Sequence, residues 1–138
     1  MERNVTITVL GEQFYEDMEP DRTELLTEGT LERTENGWRL RYEESELTGM
    51  EGTSTLIEVE GETMTLRRVG AVQAEMRFCR GEISTSAYET PYGALTVEIG
   101  TSLLRTELDE SVGELELRYS IAVAHQVTGE NRLLIKIK

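Results

Sequence analysis

The feature that most limits what this chain can become is a two-residue alternation of apolar and polar side chains, repeated from end to end. Successive side chains of a strand leave opposite faces, so an alternating run buries one face and solvates the other. Val5, Ile7 and Val9 alternate with Thr6 and Thr8, and Trp38, Leu40 and Tyr42 with Arg39 and Arg41. Thr55, Ile57 and Val59 share a face, as do Met64 with Leu66 and Met76 with Phe78. Leu25 to Arg33 reads as a weaker strand broken by Gly29, and Ile83, Thr85 and Ala87 as a further face. Leu95, Val97, Ile99, Thr101 and Leu103 form one long stripe. Leu115, Leu117, Tyr119, Ile121 and Val123 form the clearest, and Leu133, Ile135 and Ile137 the last.

Turn chemistry separates these runs. Asn36-Gly37 favours a tight hairpin, because both residues tolerate positive φ. Leu47 to Gly52 reads as a loop, and Gly61-Glu62, Gly81, Asp109 to Gly113 and Gly129 to Asn131 as further breaks. Pro91-Tyr92-Gly93 is a turn in which Pro presets one corner and Gly the other. About ten strand candidates at this spacing suit a sandwich or a barrel. Short joins favour pairing of consecutive strands, and a long meander removes its edges by closing. The expectation is one all-β domain over residues 1–138, an up-and-down antiparallel barrel of about eight to ten strands. Leu103 to Ser111 has room for a short turn, and no helical pattern of comparable strength occurs.

Charge narrows the partners. Fourteen Lys and Arg against 27 Asp and Glu give a net charge of −13. Such a surface repels nucleic-acid phosphates and anionic lipid, so neither nucleic acid nor membrane is expected as a partner. Cys79 is the only cysteine, which rules out an intramolecular disulfide and suits a reducing cytoplasm. The first ten residues alternate rather than forming the continuous apolar stretch of a signal peptide.

Four stretches carry a resemblance: Leu40-Arg41-Tyr42-Glu43-Glu44, Leu66-Arg67-Arg68-Val69-Gly70-Ala71, Tyr88-Glu89-Thr90-Pro91-Tyr92-Gly93 and Leu115-Glu116-Leu117-Arg118-Tyr119. Together they resemble the YwiB-like family of uncharacterised bacterial proteins, and the Tyr88 to Gly93 block is the most specific piece. The resemblance implies a calycin-like, lipocalin-like barrel and no particular activity. Lipocalins usually carry Gly-x-Trp near the first strand, whereas here Gly37 directly precedes Trp38 well into the chain.

Catalytic and metal chemistry find little support. His125 is the only histidine, and no Gly-x-Ser-x-Gly elbow is present. One His and one Cys make a poor zinc set, and the acidic clusters lack calcium-loop spacing. No catalytic residue, metal or cofactor is therefore expected.

One polar constellation stands out by parity. Arg68 continues the face of Met64 and Leu66, Glu44 that of Leu40 and Tyr42, and Arg80 that of Met76 and Phe78. Each apolar face ends in a charge, and a charge buried alone costs several kcal/mol, on the order of 3–5. Two readings follow. Arg68 pairs with Glu44 or caps the barrel end, with Tyr88 or Tyr92 supplying a hydroxyl. Alternatively, Glu44, Arg68, Arg80, Tyr88 and Tyr92 line the polar floor of a cavity and bind the carboxylate or phosphate of a small amphipathic ligand. The functional expectation is a non-enzymatic binding barrel, and the alternative is a protein-interaction or homodimerisation module.

Overall fold

A computed structural model describes residues 2–14, 19–45, 51–70, 73–90, 93–108, 113–123 and 126–138, with the backbone alone described at 87–90, 94–95 and 126–128. The chain forms ten strands: β1 (Glu2–Phe14), β2 (Asp21–Arg33), β3 (Gly37–Glu43), β4 (Thr53–Glu60), β5 (Thr63–Gly70), β6 (Ala74–Cys79), β7 (Ile83–Thr90), β8 (Gly93–Leu108), β9 (Gly113–Val123) and β10 (Gln126–Ile137). Each pairs antiparallel with its sequence neighbour, and β1 pairs with β10 to close the barrel. The expected up-and-down antiparallel barrel is the observed fold.

Alternation decides which side faces in. Ile7, Leu31, Leu40, Ile57, Met64, Leu66, Phe78, Ile99, Leu115, Leu117, Ile135 and Ile137 are all fully buried and fill the interior. Burial of each such side chain contributes about 1.5–3 kcal/mol. The outer face carries ladders of opposite charge. One runs Glu32, Arg39, Glu58, Arg67, Glu75 across β2 to β6. Another links Glu12 to Arg132, Arg132 to Glu116 and Glu116 to Arg105 across β1, β10, β9 and β8. Apolar inside and charged outside is the reverse of a membrane barrel, whose outer band is apolar. No helix among the described residues is long and apolar enough to cross a membrane.

Turn chemistry acts at some of the expected places, but Gly129 to Asn131 is no break: it continues β10, with only a register shift between Val127 and Gly129. The turn positions 47–50, 91–92 and 109–112 lie outside the described residues. Thr34 N–H donates to the Gly37 carbonyl at 2.8 Å and closes the β2–β3 hairpin. Gly61 turns β4 into β5 at φ 58°, a conformation that favours glycine. Gly29, by contrast, breaks nothing. It sits inside an unbroken β2, because a Cβ there would collide with the Arg41 carbonyl and with Cδ1 of Ile7. Glycine in a strand marks such close backbone approach.

Three expectations of facing need correction. The Leu95-to-Leu103 stripe does not run through, because the β8–β9 register shifts between Thr101 and Leu103. A bulge adds one residue and reverses parity beyond it. Leu103 therefore lies opposite Arg118, while Leu104 lies opposite Leu117 and packs on the core. The stretch suggested for a short turn remains strand as far as Leu108. On β7 the faces are inverted: Ser86 is buried and Ile83 is 73% exposed. Tyr88 takes the register position opposite Ala74, which fixes the parity of the strand. Finally, β6 ends at Cys79, so Arg80 lies in the following turn, exposed, and does not continue the Phe78 face.

Candidate functional site

Register alone assembles a polar row across one end of the barrel. Gly29 pairs with Tyr42, Tyr42 with Thr55, Thr55 with Arg68, and Arg68 with Ala74. Ala74 in turn lies opposite Tyr88, the one register pair joining β6 to β7 among the described residues. A side-chain bond supports that thin ladder, as Ser84 Oγ donates to the Arg77 carbonyl at 2.5 Å. Glu44 follows β3 directly, and its N–H donates to the Thr53 carbonyl at 2.8 Å.

Glu44 is 7% exposed and Thr55 is fully buried. A carboxylate out of water needs donors, and Thr55 Oγ1 supplies one at 2.6 Å from Glu44 Oε1. The Tyr42 hydroxyl is also hydrogen-bonded to Glu44. Burial, with the Glu44 charge beside it, holds the Tyr42 phenol well above its ordinary range. Tyr42 therefore stays a neutral donor at physiological pH.

Arg68 is handled differently. It is partly covered, yet its Nε is shut off from water and has no hydrogen-bond partner among the described residues. Among the described residues no ion pair joins it to Glu44, which Thr55 and Tyr42 hydrogen-bond. The guanidinium lies close enough to Tyr42 and Tyr119 for its charge to oppose the rise in both phenol pKa values. Burial is the larger effect on Tyr119 and keeps it protonated. The Tyr119 ring packs on Phe78 with centroids 4.8 Å apart and planes tilted 58°. Thr101, the register partner of Tyr119, also buries an unpartnered hydroxyl oxygen among the described residues. The other unpartnered buried atoms, on Arg3 and Thr34, lie toward the opposite end of the barrel.

Of the five residues singled out in the sequence, Glu44 and Arg68 share this end, and Arg80 lies away from it in an exposed turn. Tyr88 has a described backbone opposite Ala74. The side chain of Tyr88 and the whole of Tyr92 lie outside the described residues, as does His125. Tyr42, Thr55 and Tyr119 belong to the site and were not singled out. Their signal was the same parity: each continues an apolar face, of Leu40, of Ile57 and of Leu117.

The matches to known proteins follow this geometry. A family model described as a domain of unknown function (DUF1934) matches residues 7–135. The chain belongs to that family. It is 30% identical over 86 residues to the uncharacterised β-barrel protein YwiB of Bacillus subtilis (strain 168), a stretch of 62% of this chain and 58% of that protein. The alignment thus spans less than two thirds of that relative. The crystal structure of the ywiB protein from Bacillus subtilis matches with a TM-score of 0.87, covering 99% of this chain and 92% of that one at 23% identity. That likeness shows a shared barrel, and with the family it bears out the kinship to YwiB-like proteins. In this chain the site combines the shut-off Nε of Arg68 with two phenols, Tyr42 and Tyr119, that burial keeps protonated.

Two other features lend little chemistry. A hydrogen bond to Glu82 raises the pKa of Cys79 and keeps the thiol protonated. No cluster of three or more His, Cys, Asp and Glu suited to a metal occurs among the described residues.

Proposed function

We propose that this protein is a non-catalytic binding barrel that takes the anionic group of a small molecule at the Arg68 end. The observation that carries the reading is the buried Nε of Arg68, unpartnered among the described residues. A charged donor removed from water costs free energy until an acceptor reaches it, and a carboxylate or phosphate restores that bond. Carriage of a ligand by a calycin-like barrel is part of the same proposal, as is residence in the cytoplasm, where the free Cys79 thiol is stable. Native mass spectrometry with a metabolite panel tests the reading. A bound anion lost in Arg68→Met supports it, and a panel without any retained anion counts against it.

A second reading rests on a separate observation. An outer row pairs Ile83 with Gly100, Gly100 with Ser120, Ser120 with Glu130, and Glu130 with Phe14. Ile83 and Phe14 are 73% and 39% exposed, with Gly100, Ser120 and Glu130 between them. That apolar-edged saddle suits a homodimer, and light scattering on a concentrated sample distinguishes dimer from monomer.

A further inference from the structure

The interior beneath the site decides what size of ligand fits. Along the barrel, Leu40, Ile57, Leu66 and Phe78 are buried to 2% exposure or less. Interiors at this burial are close-packed, so there is no room for an alkyl tail laid down the axis. Calycin-type carriage of a long acyl chain would need those side chains to move aside. A ligand at Arg68 must therefore be short and sit near the strand ends.

Charge decides the second property. Arg68 supplies one positive charge, and Glu44 is buried two strands away, across β4, tied to Thr55 and Tyr42. A bound monoanion balances Arg68 and leaves only the Glu44 charge. A dianion adds a second negative charge to a site with low effective dielectric, where like charges repel strongly. The planar guanidinium fork also matches a carboxylate, and the Arg68 charge acts on Tyr119, a neutral phenol whose ring packs on Phe78.

We infer that the Arg68 site binds a compact monocarboxylate, held by the Arg68 guanidinium and the Tyr119 hydroxyl, with no acyl chain in the barrel. This rests on the binding reading above and specifies its ligand class.

The experiment is NMR titration of the full chain with acetate, benzoate, decanoate and inorganic phosphate as separate probes. The Arg Nε–H and tyrosine ring resonances are followed. Benzoate or acetate is expected to saturate at millimolar concentration and to shift the Arg68 Nε–H signal. Charge-assisted hydrogen bonds of this kind correspond to about 10- to 100-fold in affinity, the weakening expected in Arg68→Met. Arg68→Lys keeps the charge, loses the fork, and should bind more weakly than wild type while folding normally. Tyr119→Phe keeps the ring on Phe78 and should weaken binding several-fold. If affinity instead climbs steadily from acetate to decanoate, the compact-ligand inference fails while the binding reading stands. If phosphate binds as tightly as the carboxylates, the monoanion inference fails. If no probe saturates below about 10 mM and Arg68→Met gives spectra identical to wild type with every probe, both fail.

Discussion

Replacing Arg68 with methionine asks whether this arginine holds the barrel together or is held by it at some cost. Its Nε is out of water with no partner among the described residues. An unsatisfied buried donor costs about 1–3 kcal/mol. Methionine reaches about as far as the Nε position, carries no donor, and adapts to irregular space between neighbours. Arg68→Met is therefore expected to stabilise the unliganded protein by about 1–3 kcal/mol. The unfolding entropy of globular proteins is about 2.1 cal/mol/K per residue. For 138 residues that is about 0.3 kcal/mol/K, so the melting temperature should rise by about 3–10 °C. Urea unfolding followed by tryptophan fluorescence gives the free energy, and a constant m-value keeps the comparison valid. Loss of about 3–5 kcal/mol would refute the reasoning, because that is the signature of breaking a buried ion pair. The cycle with Glu44→Gln measures coupling. Arg68 and Glu44 both act on Tyr42, so the two substitutions should couple by about 0.5–3 kcal/mol.

Other outcomes follow from neighbouring features. Thr55→Val removes the hydroxyl that donates to Glu44 and should destabilise by about 1–3 kcal/mol in urea unfolding, while Thr55→Ser should retain most of the stability. Gly29→Ala places a Cβ against the Arg41 carbonyl and Ile7, so thermal unfolding should show a larger loss than Gly61→Ala, whose Cβ meets open space at positive φ. Hydrogen bonding to Arg132, aided by Arg105, holds the Glu116 carboxyl below its ordinary range. Its contribution is complete above the unfolded pKa of about 4.3 and is lost as pH falls through the lower folded value. Stability measured from pH 6 downward should therefore decline in that acid range, and Glu116→Gln should flatten part of the decline.

How much was legible follows from what a strand period records. Period two fixes facing along any unbroken strand, so Val5 to Val9, Thr55 to Val59 and Leu115 to Val123 read correctly. It fails wherever one residue is inserted, and nothing in Thr101-Ser102-Leu103 announces the bulge that turns Leu104 inward. It also fails on β7, where the apolar residue faces out and Ser86 faces in. There the register set by Ala74 and Tyr88 overrides local hydrophobicity. Arg68 and Glu44 were reachable because both lie one step beyond apolar neighbours on the same face. The hydrogen bonding of Glu44 by Thr55 and Tyr42 was not, because the register of β3 on β4 decides it. Arg80 was misplaced because alternation carries no information on where a strand stops.

The closing ladder has a kinetic consequence. Most strand pairs join sequence neighbours, whereas the β1–β10 pair must bring distant segments together, as in the Glu12–Arg132 contact across 120 residues. Loop-closure entropy opposes that contact until the intervening meander has shortened the effective chain. The hairpins are expected to assemble as an open, curling sheet, with two unpaired edges exposed until the seam zips. That interval is when the chain is most prone to strand exchange with another copy. The fully buried Ile7 and Ile137, register partners in the seam, thus guard the folding pathway as well as the finished barrel.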